Sequence, residues 1–475
     1  MESPPAYTSL EMRTVLIACC AGVFIMPLMS TMMNLALHPI GIEFEVGSKS
    51  LAMVNTTFLL ASVIVMVPLA KVSDIIGRRK VFVAGLIITL ASALAGGFSP
   101  NFEVLLAMRF IMGAGSAALS VSSVAMLTEV FPIERRGWAI GVQSTFIYLG
   151  IAVGPALGGF ICEFLDWRYL FFFMVPFVLI ALAYILRFKR EVISEASASM
   201  DYRGALLYGA TISLTMYGVI SLPELWALPL IAAGLAMLAV FIRAMKRSAS
   251  PVLDLGVFRF KVFSRACIAA YTNYASSYSV SFFLALYLQS VGGLTPMRAG
   301  LILLIQPVVQ VLLTAKFGSY SDRIADKRVL PTGGMVLTCA AVFMIMFMGT
   351  APDYLYIAAV LVLLGVGYGM FSAPNTNAIM SSVPPRHRGE ASGMIAVVRQ
   401  IGMMTSMSVA MCCIALIMGS ADNIVAPYED FIDVIRAAFA ICLAMCVAGT
   451  VLSWFRGEGG RRQGGSPMTQ RFSYP

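Results

Sequence analysis

The sequence predicts an all-α polytopic membrane protein, with fourteen transmembrane helices arranged as six plus two plus six around two pseudo-symmetric six-helix bundles. Three observations predict it. Of 475 residues, 59% are apolar and 12% charged, and the mean hydropathy is +0.86, too apolar and too poor in charge for a water-soluble globule. The apolar residues gather in runs of about twenty, the length a helix needs to cross a hydrocarbon core roughly 30 Å thick while satisfying its own backbone. Finally, AKVSDIIGRRKVFVAG (Ala70–Gly85) returns in degraded form as Gly318–Gly333, and ERRGWAIG (Glu134–Gly141) as RHRGEASG (Arg386–Gly393), each about 250 residues further on. Two unrelated segments keeping nearly one offset indicate a duplicated half.

Six runs, near 14–36, 51–70, 81–98, 104–127, 137–161 and 169–187, make the first bundle, residues 1–190. The first run follows a polar, weakly charged start and holds Pro27 and Asn34 in a segment long enough to span, so it reads as a retained helix and not a cleaved signal. Two runs near 204–222 and 226–243 have no counterpart in the repeat and form a separate pair within 191–250. The runs near 264–289, 298–316, 330–349, 354–379, 391–418 and 432–454 make the second bundle, 251–456. Residues 457–475 lack apolar periodicity and read as a disordered cytoplasmic tail.

Charge placement sets the topology. Most of the 33 Lys and Arg lie in alternate loops and the tails, among them Lys71, Arg78–Lys80, Arg135, Arg136, Lys316, Arg323 and Arg388. The opposite loops hold mainly Lys49, Arg168 and Arg298. The positive-inside rule then puts both termini in the cytoplasm and requires an even number of spans in a plasma-membrane protein. The net charge of +9 is therefore topological and implies no nucleic-acid partner. The nine cysteines lie mostly inside apolar runs, and the only histidines, His38 and His387, fall at opposite faces. No metal, no cofactor and no convergent catalytic set is read, so the chain is not expected to be an enzyme. A phosphate-cradling G-x-x-x-x-G-K-[ST] is absent from the sequence, which favours an ion gradient over ATP as energy source.

Several constellations carry chemistry. Asp74, Gly77, Arg78, Arg79 and Lys80, echoed by Asp322 and Arg323, sit at helix turns, where a carboxylate can pair with a cation or a helix N-terminus in one conformation and release it in another. The plainer reading is a topology anchor. Gly150, Gly154 and Gly158 recur every four residues, with Pro155 and Gly159 between and beside them, giving a smooth stripe that admits close helix approach and a bend. Arg109 lies within an apolar run, where a guanidinium costs at least about 2.5 kcal/mol on insertion scales unless it faces a cavity or a partner. Arg399 raises the same question in the second half. Asn34, Asn55, Gln143, Tyr148, Asn273, Tyr274, Gln306, Gln310, Asn375 and Asn377 are further polar positions within the runs. Each alone serves as readily for an interhelical hydrogen bond; together they suit an apolar pocket with a few orienting groups.

These residues resemble the major facilitator superfamily, in particular its fourteen-helix drug/proton antiporter branch, over nearly the whole chain. SDIIGRRK matches the family's loop between helices 2 and 3 through Asp74, Gly77, Arg78, Arg79 and Lys80. Arg109, Gly113, Gly115, Ala117 and Ala118 match its helix 4 pattern, and GIAVGPALGG (Gly150–Gly159) its antiporter signature. Trp167, Arg168 and PVLDLGVF (Pro251–Phe258) match motifs of the branch. The resemblance implies a major facilitator fold and a monomeric multi-pass secondary transporter. It further implies export of small amphipathic substrates by alternating access, as in multidrug efflux, with protons as the coupling partner. The match breaks in helix 1, where Met29 stands at the position of the branch's membrane Asp. An uncoupled facilitator, or a non-transporting sensor of the same fold, is the alternative.

Overall fold

The structure, a computed structural model, describes residues 7–191, 200–222, 224–248, 251–253, 255–324, 326, 328–384, 388–419 and 428–455. Six helices come first: α1 (Ser9–Phe44), α2 (Ser48–Ile76), α3 (Arg78–Gly97), α4 (Phe102–Val130), α5 (Ile133–Phe164) and α6 (Tyr169–Arg187). Local chemistry sets several of their starts. Thr8 and Glu11 form a reciprocal capping box at the head of α1. The side chain of Asn101 accepts the N–H of Val104 and starts α4. Gly77, at φ +115°, makes the abrupt turn from α2 into α3, a conformation costly for any residue with a Cβ.

The pair α7 (Tyr202–Ile220) and α8 (Ala227–Arg247) follows, packed on each other. A 3-10 turn, Leu255–Arg259, leads into α9 (Lys261–Ser277) and α10 (Ser279–Leu286), then a π-helical turn, Tyr287–Val291. The chain continues through α11 (Pro296–Leu303), α12 (Ile305–Arg323), α13 (Val329–Ile345), α14 (Tyr354–Ser381), α15 (Arg388–Ile417) and α16 (Tyr428–Trp454). Among the described residues, eleven helices are long and apolar enough to cross a membrane; α13, at 17 residues, is shorter.

The run expected as one helix near 264–289 is interrupted at Tyr278. The hydroxyl of Ser406 on α15 accepts the backbone N–H of Ser279 at 3.0 Å, so a side chain intrudes into the helical ladder. α11 and α12 likewise meet at Leu304 and together cover one apolar stretch, Pro296–Ser321.

Packing divides the helices into two groups. α1 packs on α4, α5 and α6, and α2 and α3 on α4; α9 packs on α14, α15 and α16, and α12 and α13 on α14. The groups meet where α5 touches α11 and α12, where α2 touches α15, and where α1 touches α10. α7 lies across the α2–α15 contact, and Tyr208 donates its hydroxyl to the Val63 carbonyl at 2.9 Å. The end bearing Arg78–Lys80 and Arg136 is called the basic face below, and the end bearing Glu43, Glu163 and Arg168 the opposite face.

Candidate functional site

At the basic face, Arg78 is the hub. Its Nε and Nη2 donate to Asp74 Oδ1 at 3.1 and 3.0 Å, and its Nη1 donates to the Ala125 carbonyl at 2.8 Å and reaches Glu129 at 3.5 Å. The turn thus ties α2 and α3 to the end of α4, within one group. The backbone N–H groups of Arg79 and Lys80 donate to Glu191 Oε1 at 3.0 and 3.4 Å, so a carboxylate beyond α6 satisfies the exposed first turn of α3. Arg79 also donates from Nε to the Ile185 carbonyl. A Cβ at Gly77 would collide with the Glu191 side chain, which gives that glycine a second reason beyond its φ. Asp322 and Arg323 end α12; their side chains lie outside the described residues.

The glycine stripe packs chiefly inside the first group. A methyl added at Gly150 would lie 2.8 Å from the Phe24 carbonyl, and one at Gly158 2.7 Å from Met32 Cα; Gly154 faces Thr31, all on α1. Gly159 turns to the other group, where an added methyl would lie 2.8 Å from Met297 Cα on α11. Gly300 of α11 in turn abuts the Pro155 carbonyl. The close approach between the two groups therefore belongs to Pro155 and Gly159, and the periodic stripe seats α5 on α1.

At the centre, Arg109 is fully buried. It donates to the Val54 carbonyl at 3.1 Å and to Asn55 Oδ1 at 3.4 Å, approaches the Met112 sulfur at 3.9 Å, and lies 4.7 Å from the Phe58 ring centroid. Asn55 passes its amide N–H to Asn34 Oδ1 at 2.9 Å. From the second group Tyr278 stands within electrostatic reach of Arg109, and its hydroxyl shares a 3.1 Å hydrogen bond with Ser30 of α1. A matching cluster lies around Arg399, which stands within electrostatic reach of Tyr274; Tyr274 packs on Tyr368 with ring centroids 6.1 Å apart, and Tyr148 of α5 shares a 3.1 Å hydrogen bond with Ser372. Each cluster spans both groups.

The other polar positions serve within one group. Gln306 donates to Gln310 at 3.0 Å, Asn375 to the Ala266 carbonyl at 3.1 Å, Asn377 to Ser321 at 3.2 Å, and Asn273 to Thr338 at 3.5 Å. Buried Gln143 and Asn273 each keep one polar atom without a protein partner, Nε2 and Oδ1 respectively. Met29 is fully buried.

At the opposite face the groups are sealed to each other. Glu163 at the end of α5 accepts the backbone N–H of Met297, in the first turn of α11, at 3.0 Å. His38 of α1 and Ser290 of the π-helical turn are 3.1 Å apart. Inside the first group, Arg168 grips Glu43 with two bonds of 2.8 and 2.6 Å, and Trp167 adds its indole N–H at 2.6 Å. Toward the basic face the picture changes. Beyond Tyr148 and Ser372, Gly141, Thr145 and Thr376 are exposed, and a methyl added at Gly141 or at its echo Gly393 would meet nothing within 4 Å. Glu43, Glu191, Ser30 and Ser372 were not singled out from the sequence. Glu43 had an indirect signal, because Arg168 in a charge-poor loop calls for an acidic partner.

Two helical groups that meet at an Arg109–Tyr278 and an Arg399–Tyr274 cluster, with eleven helices long and apolar enough to cross a bilayer among the described residues, make a polytopic helical membrane protein. The Major Facilitator Superfamily model matches residues 19–407 and 266–471, and the chain belongs to that superfamily. It is 26% identical to the riboflavin transporter RibZ of Clostridioides difficile (strain 630) over 442 residues, 93% of this chain and 96% of the relative. It is 28% identical to the multidrug resistance protein Stp of Mycobacterium tuberculosis (strain CDC 1551 / Oshkosh) over 393 residues, 82% of this chain and 73% of that one. Among solved structures, a bacterial homologue of the human lysosomal transporter Spinster, inward-facing and unoccupied, superposes with TM-score 0.65 at 15% identity, covering 94% of this chain and 97% of that one. A POT family transporter in complex with 5-aminolevulinic acid gives TM-score 0.68 at 14% identity, over 93% and 96%. These structural likenesses establish the fold.

Proposed function

We propose that this chain is a secondary active exporter of small amphipathic compounds in the plasma membrane, working as a monomer by alternating access between two six-helix bundles. In this reading the spans number fourteen. The eleven long apolar helices are joined by α7, by α13 and by the broken α9–α10 rod, and both termini are cytoplasmic. The observation that carries the reading is the asymmetry of the seam. Glu163 with Met297 and His38 with Ser290 close the opposite face, while small residues on α5 and α15 stand clear toward the basic face. That asymmetry supports an inward-facing member of a pair of states that exchange by rocking.

In this state Asp74 is paired inside its own bundle, with Arg78, as a released latch would be. Gly77, Arg79, Lys80, Asp322 and Arg323 belong to the same latch, and Pro155 with Gly159 to the rocking contact. RibZ and Stp, named for a vitamin and for drugs, support small amphipathic cargo. Proton coupling is the energy source consistent with the branch. Uncoupled facilitation is the second reading, and it is favoured by buried Met29 where a carboxylate would stand.

Counterflow in proteoliposomes with a panel of cationic, neutral and anionic amphiphiles tests the proposal. Saturable exchange of at least one compound is the expected result. Binding without exchange across the panel would instead indicate a sensor.

A further inference from the structure

Arg109 carries its charge at zero exposure, and among the described residues every group that meets it is neutral: a carbonyl, an amide oxygen, a thioether and a phenyl face. Its three polar contacts take one N–H from each nitrogen, whereas a guanidinium offers five. One donor on each terminal nitrogen is left for an acceptor that the fold, among the described residues, does not supply. Beside it begins a row of phenols. Tyr278 stands within electrostatic reach of Arg109 and Tyr368, Tyr368 lies 6.1 Å from Tyr274 centroid to centroid, and Tyr274 is within electrostatic reach of Tyr148 and Arg399. The row crosses from one bundle to the other and ends at a guanidinium on each side. Tyr278 itself sits at the break between α9 and α10, the point of the second bundle where the backbone ladder is already open to Ser406.

We propose that Arg109 and Tyr278 form the recognition point for an anionic group on the substrate, and that the cargo class is the aromatic monoanion, a carboxylate on a planar apolar body. This deepens the exporter reading and rests on it. A guanidinium with spare N–H groups and a phenol within its electrostatic reach suit a carboxylate, which accepts a charge-assisted bond from the guanidinium and a second from the phenol while Ser30 donates to the phenol oxygen. The phenol row offers flat faces to the body of such a molecule. Because Arg109 and Tyr278 come from different bundles, a carboxylate held by both would link the two halves that rocking must move together. The plain alternative is a staple, Arg109 merely fixing α4 to α2 through Val54 and Asn55.

The test is equilibrium binding to the full chain in nanodiscs at neutral pH, using three probes of one shape: 1-naphthaleneacetate, the neutral 1-naphthaleneacetamide and the cation (1-naphthylmethyl)trimethylammonium. Binding requires no flux, so its failure is separable from failure of the transport reading. The acid should bind about tenfold more tightly than either analogue, the gain of one charge-assisted pair. Arg109→Gln should bring the acid down to the amide's affinity without changing the amide's. Arg109→Lys should keep the acid's preference in weakened form, and Tyr278→Phe should weaken the acid alone by about threefold, one neutral hydrogen bond. Should Arg109→Gln fail to fold, the lysine and phenylalanine variants decide. Equal binding of the three probes, tightest binding of the cation, binding of none, or an anion preference that survives loss of both donors would overturn the proposal.

Discussion

Glu191 accepts the N–H groups of Arg79 and Lys80 with one oxygen, so a side chain beyond α6 completes the first turn of α3. Removing it leaves those donors without their carboxylate and the helix dipole without its counter-charge. Glu191→Ala should lower stability by about 1 kcal/mol, within the range of lost helix caps, while Glu191→Gln should cost less because an amide oxygen still accepts. Thermal unfolding of the two purified variants checks the order. Glu43 is a second such tie. Its partner Arg168 is 27% exposed and Glu43 38%, so solvent screening reduces the pair's worth, and Glu43→Gln should destabilise by only about 0.5 to 1 kcal/mol. Arg109 was legible in the sequence, because a cation inside an apolar run declares itself by its cost. Glu191 and Ser30 were not, since nothing along the chain reveals that a residue over a hundred positions away offers an unsatisfied turn, or that a serine faces a tyrosine of the other half.

At the scale of the helix, the glycines of α5 divide by direction. Gly158→Leu would drive bulk into α1 inside one bundle, an overpacking that should cost about 1–3 kcal/mol of stability. Gly159→Leu would instead wedge α5 from α11 at the seam. The expected result is a near-normal unfolding temperature together with faster labelling of a cysteine placed at Glu163, as the opposite face opens. Unchanged labelling of a well-folded Gly159→Leu protein would place the rocking contact elsewhere. The four-residue period was plain in the sequence; which neighbour each glycine meets depends on the azimuth of α5, and periodicity alone does not give it. The break at Tyr278 was equally out of reach, because its cause is Ser406 on another helix.

For the whole molecule, composition already carried the all-helical membrane class, since burial in lipid leaves few ways to satisfy a backbone. The position of α7 across the α2–α15 contact was not readable, because a lipid-facing helix and one laid over a seam have similar composition. Cysteine labelling tests the topology: Arg79→Cys, in a background stripped of native cysteines, should resist an impermeant external reagent in intact cells and react once the membrane is opened. The central claim is that transport requires the opposite face to open between the bundles. Glu163→Cys with Met297→Cys, in the same background, would permit a disulfide across the bond that now closes that face. With any compound that shows counterflow, oxidising this pair should abolish exchange and leave binding from the basic face intact, and reductant should restore exchange. Undiminished exchange by the fully cross-linked protein would contradict the account.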